Sequence, residues 1–171
     1  MSFTIRKGVK EDSSELRQLF RELAIYQNLD GNRVVEVQVI EKDGFGDQPE
    51  CLQFQTFVAQ HNDSQQLVGF ALYYPKYSAW TGRGVWMEHL YVSPECRGTG
   101  IGRQLMAAVA KQALADGCAR MEWDVFVWNT GAMSMYKKLG AIDLGESSEQ
   151  TKVFRLFGQT LTQLAQGCQS Q

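Results

Sequence analysis

Three glycines spaced two residues apart, Gly98, Gly100 and Gly102, separate an apolar segment from one with helical periodicity. Because glycine lacks a Cβ, successive backbone N–H groups in such a loop can converge on one point and approach a ligand closely. The start of the following helix adds partial positive charge. The loop therefore predicts an anion site built from backbone. The alternative is a glycine-rich strand-to-helix turn that binds nothing.

The spacing separates this loop from two common phosphate-binding loops. A Walker loop requires Lys and then Ser or Thr after its last glycine, but Arg103 and Gln104 stand there. A dinucleotide fingerprint requires G-x-G-x-x-G, whereas the spacing here is G-x-G-x-G. Neither of these two loops is therefore indicated.

Two polar residues, Glu88 and His89, interrupt the strongest strand candidate, Val85 to Val92. The remaining residues are apolar, as in a central strand that is covered on both faces. Partial desolvation there would make the carboxylate of Glu88 a better proton acceptor. The alternative is a structural carboxylate paired to Arg or Lys. His89 is interpreted as a second base, a substrate contact or a buried imidazole.

Hydrophobic periodicity predicts an α/β fold around these residues. The predicted strands cover residues 3–6, 55–60, 66–74, 85–92, 121–127 and 152–157. The predicted helices begin at Asp12, cover about 34–42, follow the glycine loop to Asp116-Gly117, and end at Gly140. Asp12 and Glu15 have the spacing of a capping box, and Asp43-Gly44-Phe45-Gly46 predicts a turn.

Composition limits the classes of function. A chain of 171 residues predicts one domain, residues 1–171, with a C-terminal tail from about residue 158. With 17 Lys plus Arg against 19 Asp plus Glu, no nucleic-acid partner is expected. We expect no membrane span and no secretion signal. The spacing of the four cysteines predicts no metal site, and reduced thiols fit a cytoplasmic location.

The string Arg97-Gly98-Thr99-Gly100-Ile101-Gly102 resembles the acetyl-CoA loop of the GNAT family of N-acetyltransferases, whose signature is [QR]-x-x-G-x-[GA]. Over about residues 3–157 the chain is most similar to the spermidine/spermine (diamine) N-acetyltransferase branch. The segments that carry this wider resemblance are Glu22-Leu23-Ala24-x-Tyr26, Asp43-Gly44-Phe45-Gly46, Val68-Gly69-Phe70-Ala71-x-Tyr73-Tyr74, Trp128-Asn129 and Tyr136-Lys137 through Gly140-Ala141.

The resemblance implies a single GNAT domain whose mixed, mostly antiparallel sheet is flanked by helices. It also implies that the strands at Val85 and Met121 splay apart so that acetyl-CoA, the acetyl donor, fits between them. The acceptor would be a primary amine of a small molecule, and the enzyme would be a homodimer.

The resemblance also implies the roles of individual residues. Glu88 matches a general base that helps to deprotonate the amine, and Tyr136 matches a general acid near the CoA sulfur. Tyr136 also shares an apolar stripe with Ala132 and Leu139, so a core role is the alternative. The cofactor-binding residues are expected to be Leu90, Tyr91, Val92, Arg97, Gly98, Thr99, Gly100, Ile101, Gly102, Arg103, Asn129 and Tyr136. The substrate-binding residues are expected to be Tyr26, Gln27, Glu88 and His89.

Three positions depart from the polyamine-acetylating branch. Gln27, Ser78 and His89 stand where that branch has acidic residues. A polyamine is a chain of ammonium groups, and part of its charge would lack a partner here. The departures favour a short diamine, a thialysine-like amino acid or another less cationic amine.

Direct transfer in a ternary complex is expected, because none of the four cysteines is an obvious nucleophile. Cys96 abuts Arg97, whose charge would lower the pKa of its thiol, but a structural thiol is the favoured interpretation. Two other functions stay open. One is a non-catalytic acyl-CoA-binding module that lacks acid and base, and the other is acetylation of protein lysines.

Overall fold

The computed structural model describes residues 2–144, which contain five strands and four α-helices. The strands are β1 (Phe3–Lys7), β2 (Gln55–His61), β3 (Leu67–Ser78), β4 (Gly82–Val92) and β5 (Arg120–Glu122). The helices are α1 (Ser13–Tyr26), α2 (Val37–Phe45), α3 (Ile101–Ala115) and α4 (Thr130–Lys138). The chain forms two compact units, one that ends at Asp124 and one that begins at Val125.

The first unit contains a five-stranded sheet in the order β1-β2-β3-β4-β5. The first four strands pair antiparallel, and β5 pairs parallel to β4. The predicted mixed, mostly antiparallel sheet is therefore confirmed. The strands predicted at 66–74 and 85–92 extend further toward each other in the structure, because Pro75 still pairs with Val85 and Ser78 pairs with Gly82. Polar residues interrupt the apolar pattern in these segments, so the sequence did not indicate that the strands continue.

Helices cover both faces of this sheet. Leu16, Leu19 and Leu23 of α1 are buried in one core cluster with side chains of β2, β3 and β4. The alternate residues of β3, such as Ala71 and Tyr73, are also buried. Because neighbouring residues of a strand point to opposite faces, these residues belong to the second face, where α3 packs on β2, β3 and β4.

The predicted capping box at the start of α1 is wrong. Asp12 makes no side-chain cap, because its carboxylate accepts from the Arg6 guanidinium at 2.7 and 2.8 Å and from the Val9 N–H at 2.9 Å. Partial burial opposes ionisation, but these hydrogen bonds outweigh it and lower the pKa of Asp12. Glu15 instead accepts the Leu67 N–H at 2.8 Å and so joins α1 to the start of β3.

The second helix begins and ends later than predicted. It runs from Val37 to Phe45, so Gly44 lies within the helix and not in a turn. A Cβ on Gly44 would lie 2.4 Å from the Phe54 ring. The glycine is therefore required by the close approach of an aromatic side chain.

The strand predicted at residues 121–127 is much shorter in the structure. β5 covers only Arg120–Glu122 and pairs with β4 as far as Trp86. Within residues 2–144, the rest of β4, residues 87–92, has no strand partner on that side. The pairing of β4 with β5 thus stops in the middle of β4, as expected for a splayed sheet.

The strand predicted at 152–157 and the tail predicted from residue 158 lie outside the described residues. Among the described residues, no helix has both the length and the apolar character that crossing a membrane requires.

Candidate active site

The glycine loop leads from the end of β4 to the start of α3. Thr99 Oγ1 donates to the carbonyl oxygen of Cys96 at 2.6 Å and stabilises the turn after β4. Gly98 and Gly100 have φ angles of 76° and 88°, in the left-handed region that glycine adopts most readily. Helix α3 begins directly afterwards, at Ile101. The predicted order of strand, glycine loop and helix is confirmed.

The loop presents open hydrogen-bond donors. None of the backbone N–H groups from Gly98 to Arg103 donates to a backbone carbonyl within residues 2–144, and the next donor, Gln104 N–H, bonds Gly100 O at 3.1 Å. A Cβ built on Gly98 or Gly100 would meet no atom within 4 Å, so the space beside these glycines is open. Free N–H groups at a helix N-terminus beside open space fit a diphosphate well.

Arg97 connects the loop with the end of α1. Its guanidinium lies 4.5 Å from the ring centroid of Tyr26 and 5.6 Å from that of Tyr91. Its Nε donates to the carbonyl oxygen of Val92 at 2.9 Å. Tyr26 is the last residue of α1 and Gln27 is its C-cap. The structure therefore brings the predicted substrate residue Tyr26 beside the predicted cofactor residue Arg97, and Gln27 follows Tyr26 in the chain.

The predicted cofactor residues of β4 lie where the strand has no β5 partner. Leu90 and Val92 are half-buried there. The Tyr91 side chain is buried in the core and packs on Phe70, with ring centroids 6.4 Å apart. Burial, followed by the charge of Glu22, raises the pKa of Tyr91. Only the backbone of Tyr91 is therefore available to a cofactor.

A β-bulge places Glu88. Leu72 pairs with His89, but the next residue of β3, Tyr73, pairs with Met87, so Glu88 is the extra residue of β4. The carboxylate is exposed. Other residues of the strand, such as Met87 and Tyr91, are buried, but the expectation that Glu88 is desolvated is wrong, because this extra residue of the bulge has an exposed side chain.

Two aromatic side chains hold the Glu88 carboxylate. Tyr74 Oη donates to Oε2 at 2.9 Å, and Trp86 Nε1 donates to the same oxygen at 2.8 Å. Within the described residues, no donor reaches Oε1. Partial burial, the hydrogen bond to Glu88, and the charges of Glu88 and Asp124 raise the pKa of Tyr74 to about 12, so its hydroxyl remains a donor at neutral pH.

Sequence reasoning missed Tyr74 and Trp86 as site residues. The sequence places both in predicted strands, and Tyr74 also in a segment that carries the family resemblance, but it predicts no role in the site for either residue. Their pairing across the β3–β4 hairpin places them side by side, and each carries a polar group that can donate at the edge of an aromatic ring. The residue types, tyrosine and tryptophan, were visible in the sequence. Only the pairing register of β3 with β4 shows that Tyr74 and Trp86 both reach Glu88.

The imidazole of His89 is half-buried on the face of the sheet that α1 covers. Its cross-strand partner, Leu72, belongs to the core cluster under α1. Burial lowers the pKa of His89, although the nearby charges of Glu88 and Asp124 oppose this shift. The imidazole is therefore neutral at pH 7 and able to accept a hydrogen bond or a proton.

Two of the predicted residues lie in the second unit. Asn129 is the N-cap of α4, and its Oδ1 accepts the Ala132 N–H at 3.3 Å. Tyr136 is half-buried on this helix, while Leu139, expected to share a core stripe with it, is 41% exposed. A continuous buried stripe on α4 is therefore not present within the described residues.

The cysteine beside the loop is not activated. Cys96 is buried, and burial together with the charge of Glu95 raises the pKa of its thiol. The buried thiol fits the favoured interpretation of a structural cysteine, and the Arg97 guanidinium lies against the aromatic rings of Tyr26 and Tyr91. Cys51, Cys96 and Cys118 are free cysteines, and Cys168 lies outside the described residues.

Two curated proteins named as acetyltransferases, or as acetyltransferase-like, are similar to this chain over nearly its whole length. Thialysine N-epsilon-acetyltransferase of Bos taurus is 38% identical over 169 residues, which cover 96% of this chain and 99% of that protein. Spermidine/spermine N(1)-acetyltransferase-like protein 1 of Homo sapiens is 34% identical over 169 residues, which cover 95% of this chain but only 24% of that longer protein.

Solved structures share the fold of this chain. An integron cassette protein from the mobile metagenome of V. cholerae has a TM-score of 0.72 at 27% identity and covers 96% of this chain and 98% of its own. The aminoglycoside N-acetyltransferase AAC(6')-Iy in complex with CoA has a TM-score of 0.69 at 22% identity and covers 91% and 95%. A model of the acetyltransferase (GNAT) family matches residues 15–141. The predicted family is thus confirmed: the chain belongs to the GNAT family and is an N-acetyltransferase.

Proposed function

We propose that this enzyme transfers the acetyl group of acetyl-CoA to a primary amine of a small molecule, with a thialysine-like amino acid as the first candidate acceptor. The transfer is direct, within a ternary complex. Glu88 is the general base and Tyr136 is the general acid. The observation that carries the proposal is the Glu88 carboxylate, which is fixed through Oε2 and left open at Oε1.

The donor half of the proposal rests on the glycine loop. Its N–H groups from Gly98 to Arg103 supply hydrogen bonds to the diphosphate of acetyl-CoA, and Arg103 adds an exposed positive charge. The pantetheine arm follows the backbone of Leu90, Tyr91 and Val92, where β4 has no β5 partner. Acetyl-CoA supplies the thioester that the amine attacks.

The acceptor half follows from the protonation of amines. An alkyl amine with a pKa near 10.4 is about 99.9% protonated at pH 7.4, so removing its proton costs about 4 kcal/mol. The open Oε1 of Glu88 accepts this proton, directly or through one water. Tyr74 and Trp86 hold the carboxylate in place during the transfer. His89, neutral at pH 7, lies next along the strand and contacts the substrate.

Tyr136 protonates the CoA thiolate as it leaves. A free thiol has a pKa near 8.5 and is already a fair leaving group, so the acid assists the reaction without being indispensable. We expect Tyr136→Phe to lower kcat by about tenfold, because the ring is retained and only the hydroxyl is lost. Steady-state kinetics at saturating acetyl-CoA measure the effect. Wild-type kcat in this variant would contradict the assignment.

The substrate class comes from the relatives. Proteins named for thialysine N-epsilon-acetylation are 38% identical over nearly the whole chain in three mammals, Bos taurus, Sus scrofa and Mus musculus. Thialysine carries one primary side-chain amine on a lysine-like skeleton. The positions of Gln27, Ser78 and His89, which lack acidic side chains, also suit an acceptor that is less cationic than a polyamine.

A panel of amines tests the proposal. Release of CoA thiol is followed at saturating acetyl-CoA with thialysine, lysine, short diamines, spermidine and a lysine peptide. The expected result is turnover of small amines, with the largest kcat/KM for a thialysine-like amino acid. Binding of acetyl-CoA without turnover of any amine would favour the non-catalytic module, and turnover of the peptide alone would favour protein acetylation. The homodimer and the cytoplasmic location stay predictions.

A further inference from the structure

A group of three charged residues, Lys76 of β3 with Arg120 and Glu122 of β5, lies near Glu88. Lys76 Nζ is 3.2 Å from Glu122 Oε2, and Arg120 Nε is 3.0 Å from the same oxygen. Partial burial of Glu122 opposes its ionisation, but the hydrogen bonds from Arg120 and Lys76 outweigh it and lower the pKa of this carboxyl. Two positive charges share one negative charge, so this triad carries a net positive charge.

The indole of Trp86 joins the triad to the Glu88 carboxylate. Lys76 Nζ lies 4.6 Å from the centroid of the Trp86 ring, while the Nε1 of the same ring donates to Glu88 at 2.8 Å. Because both groups contact one indole, the two opposite charges lie within roughly 10 Å of each other. A four-carbon stem such as that of lysine can span much of this separation.

The strand register explains why these groups share one face. Tyr74 pairs with Trp86, and Lys76, two residues further along β3, pairs with Gly84. Side chains two apart on a strand share a face. Gly84 has no side chain opposite Lys76, and Arg120 occupies the space, since a Cβ on Gly84 would lie 2.9 Å from Arg120 Cγ. The absence of a Cβ at Gly84 therefore leaves room for the side chain of Arg120, which carries the second positive charge.

The site thus has an acidic end and a basic end. The charges of Glu88 and Asp124 both act to raise the pKa of Tyr74 and of His89, so Glu88 belongs to the negative end. Lys76, Arg120 and Glu122 form the positive end. A diamine would direct its second ammonium toward this triad, where repulsion opposes binding. A lysine-like amino acid also has a second ammonium, but its α-carboxylate offsets that charge. A substrate with a carboxylate at that end would be attracted.

We propose that Lys76, supported by Arg120 and Glu122, binds the α-carboxylate of an amino acid whose side-chain amine is presented to Glu88. This inference rests on the proposed function and narrows its substrate class to lysine-like amino acids over diamines without a carboxylate. Lys76 is then a residue that determines specificity, and the carboxylate joins its ammonium in a charge-assisted hydrogen bond.

The first test compares two acceptors with the wild-type enzyme. Thialysine and bis(2-aminoethyl) sulfide differ only by the carboxylate. We expect kcat/KM to be about 10-fold or more larger for thialysine, mainly through a lower KM. Acetylation of both sulfides with equal kcat/KM would overturn this inference but leave the proposed function intact. If neither sulfide nor any other amine is acetylated, the proposed function fails first.

The second test changes Lys76. Lys76→Met keeps a long, flexible side chain beside Trp86 and removes the charge, so it should lower kcat/KM for thialysine about 10-fold and leave that for the diamine sulfide unchanged or raised. Lys76→Arg should retain the preference. Lys111→Met, at an exposed lysine of α3, controls for loss of a surface charge. An equal loss for both sulfides in Lys76→Met would overturn the proposal.

Discussion

The glycine loop that follows β4 and the side-chain cluster around Glu88 within β4 are built from different chemical groups. The loop consists of backbone N–H groups beside open space, with two glycines in the left-handed region. The cluster consists of the side chains of Tyr74, Trp86 and Glu88, brought together by a β-bulge. The loop suits the diphosphate of CoA, which is the same in every reaction cycle. The cluster suits the acceptor amine, which can differ from one substrate to the next.

Because of this difference, we expect the two regions to respond differently to substitution. A backbone site depends on φ angles and on the absence of Cβ atoms, so one side chain added to the loop should remove binding altogether. A side-chain cluster loses one proton acceptor or one charge at a time, so its variants should change rate, pH dependence or specificity.

The largest expected effect is the loss of CoA binding in Gly100→Val. The substitution places a β-branched side chain at a φ of 88° and beside the open donors. Gly117→Val is a matched control, because Gly117 also has a positive φ, 72°, and open space around its Cβ, but follows the opposite end of α3. Calorimetric titration with CoA should detect binding in the control alone. Equal CoA affinity in both variants would show that the loop does not bind CoA.

A smaller effect, on rate, is expected for Glu88→Gln. The amide oxygen of glutamine can still accept from Tyr74 and Trp86, so the geometry is retained while the proton acceptor is lost. We expect kcat/KM for the amine to fall by about 100-fold at neutral pH, with a smaller loss at high pH, where more amine is already neutral. Rate profiles from pH 6.5 to 10 measure this. A uniform loss across the profile would take Glu88 out of the role of base.

The smallest expected effect is on stability and concerns His89. Its pKa in the folded protein is lowered below the ordinary value near 6.5, so as the pH falls the unfolded chain binds a proton first. The stability contributed by the neutral imidazole is complete above about pH 6.5 and is lost as the pH falls through the folded pKa.

His89→Gln should therefore lose less stability than the wild type between pH 7.5 and pH 5.5. Urea unfolding at both values gives the free energies of unfolding. Comparison at pH 7.5 and 8.5, where both proteins should show little change from this source, is the control. Equal losses of unfolding free energy in the two proteins on acidification would mean that the pKa of His89 does not differ between the folded and unfolded states.

The loop could be predicted from the sequence because glycine itself specifies the backbone conformation. The family signature, the strand before the loop and the helix after it were all local features. Helix α1 was equally accessible, since Leu16, Leu19 and Leu23 recur at helical spacing and are buried.

The acceptor cluster could not be predicted to the same degree. Glu88 and His89 stand out in the sequence as polar residues in an apolar strand. The bulge that makes Glu88 an extra residue depends on the pairing of β3 with β4, which the sequence does not show. The same long-range pairing brings Lys76 and Tyr74 to Trp86. Asp12 illustrates the opposite error, because a local capping pattern was overridden by Arg6 from a neighbouring strand.

The most direct measurement is an amide NMR titration of the loop with CoA and with pantetheine, which lacks the diphosphate. If backbone N–H groups hold the diphosphate, the amide signals of residues 98–103 will shift strongly on saturation with CoA and little on saturation with pantetheine. Signals that stay in place with CoA, or that move equally with both ligands, would contradict the binding of the diphosphate by the backbone of residues 98–103.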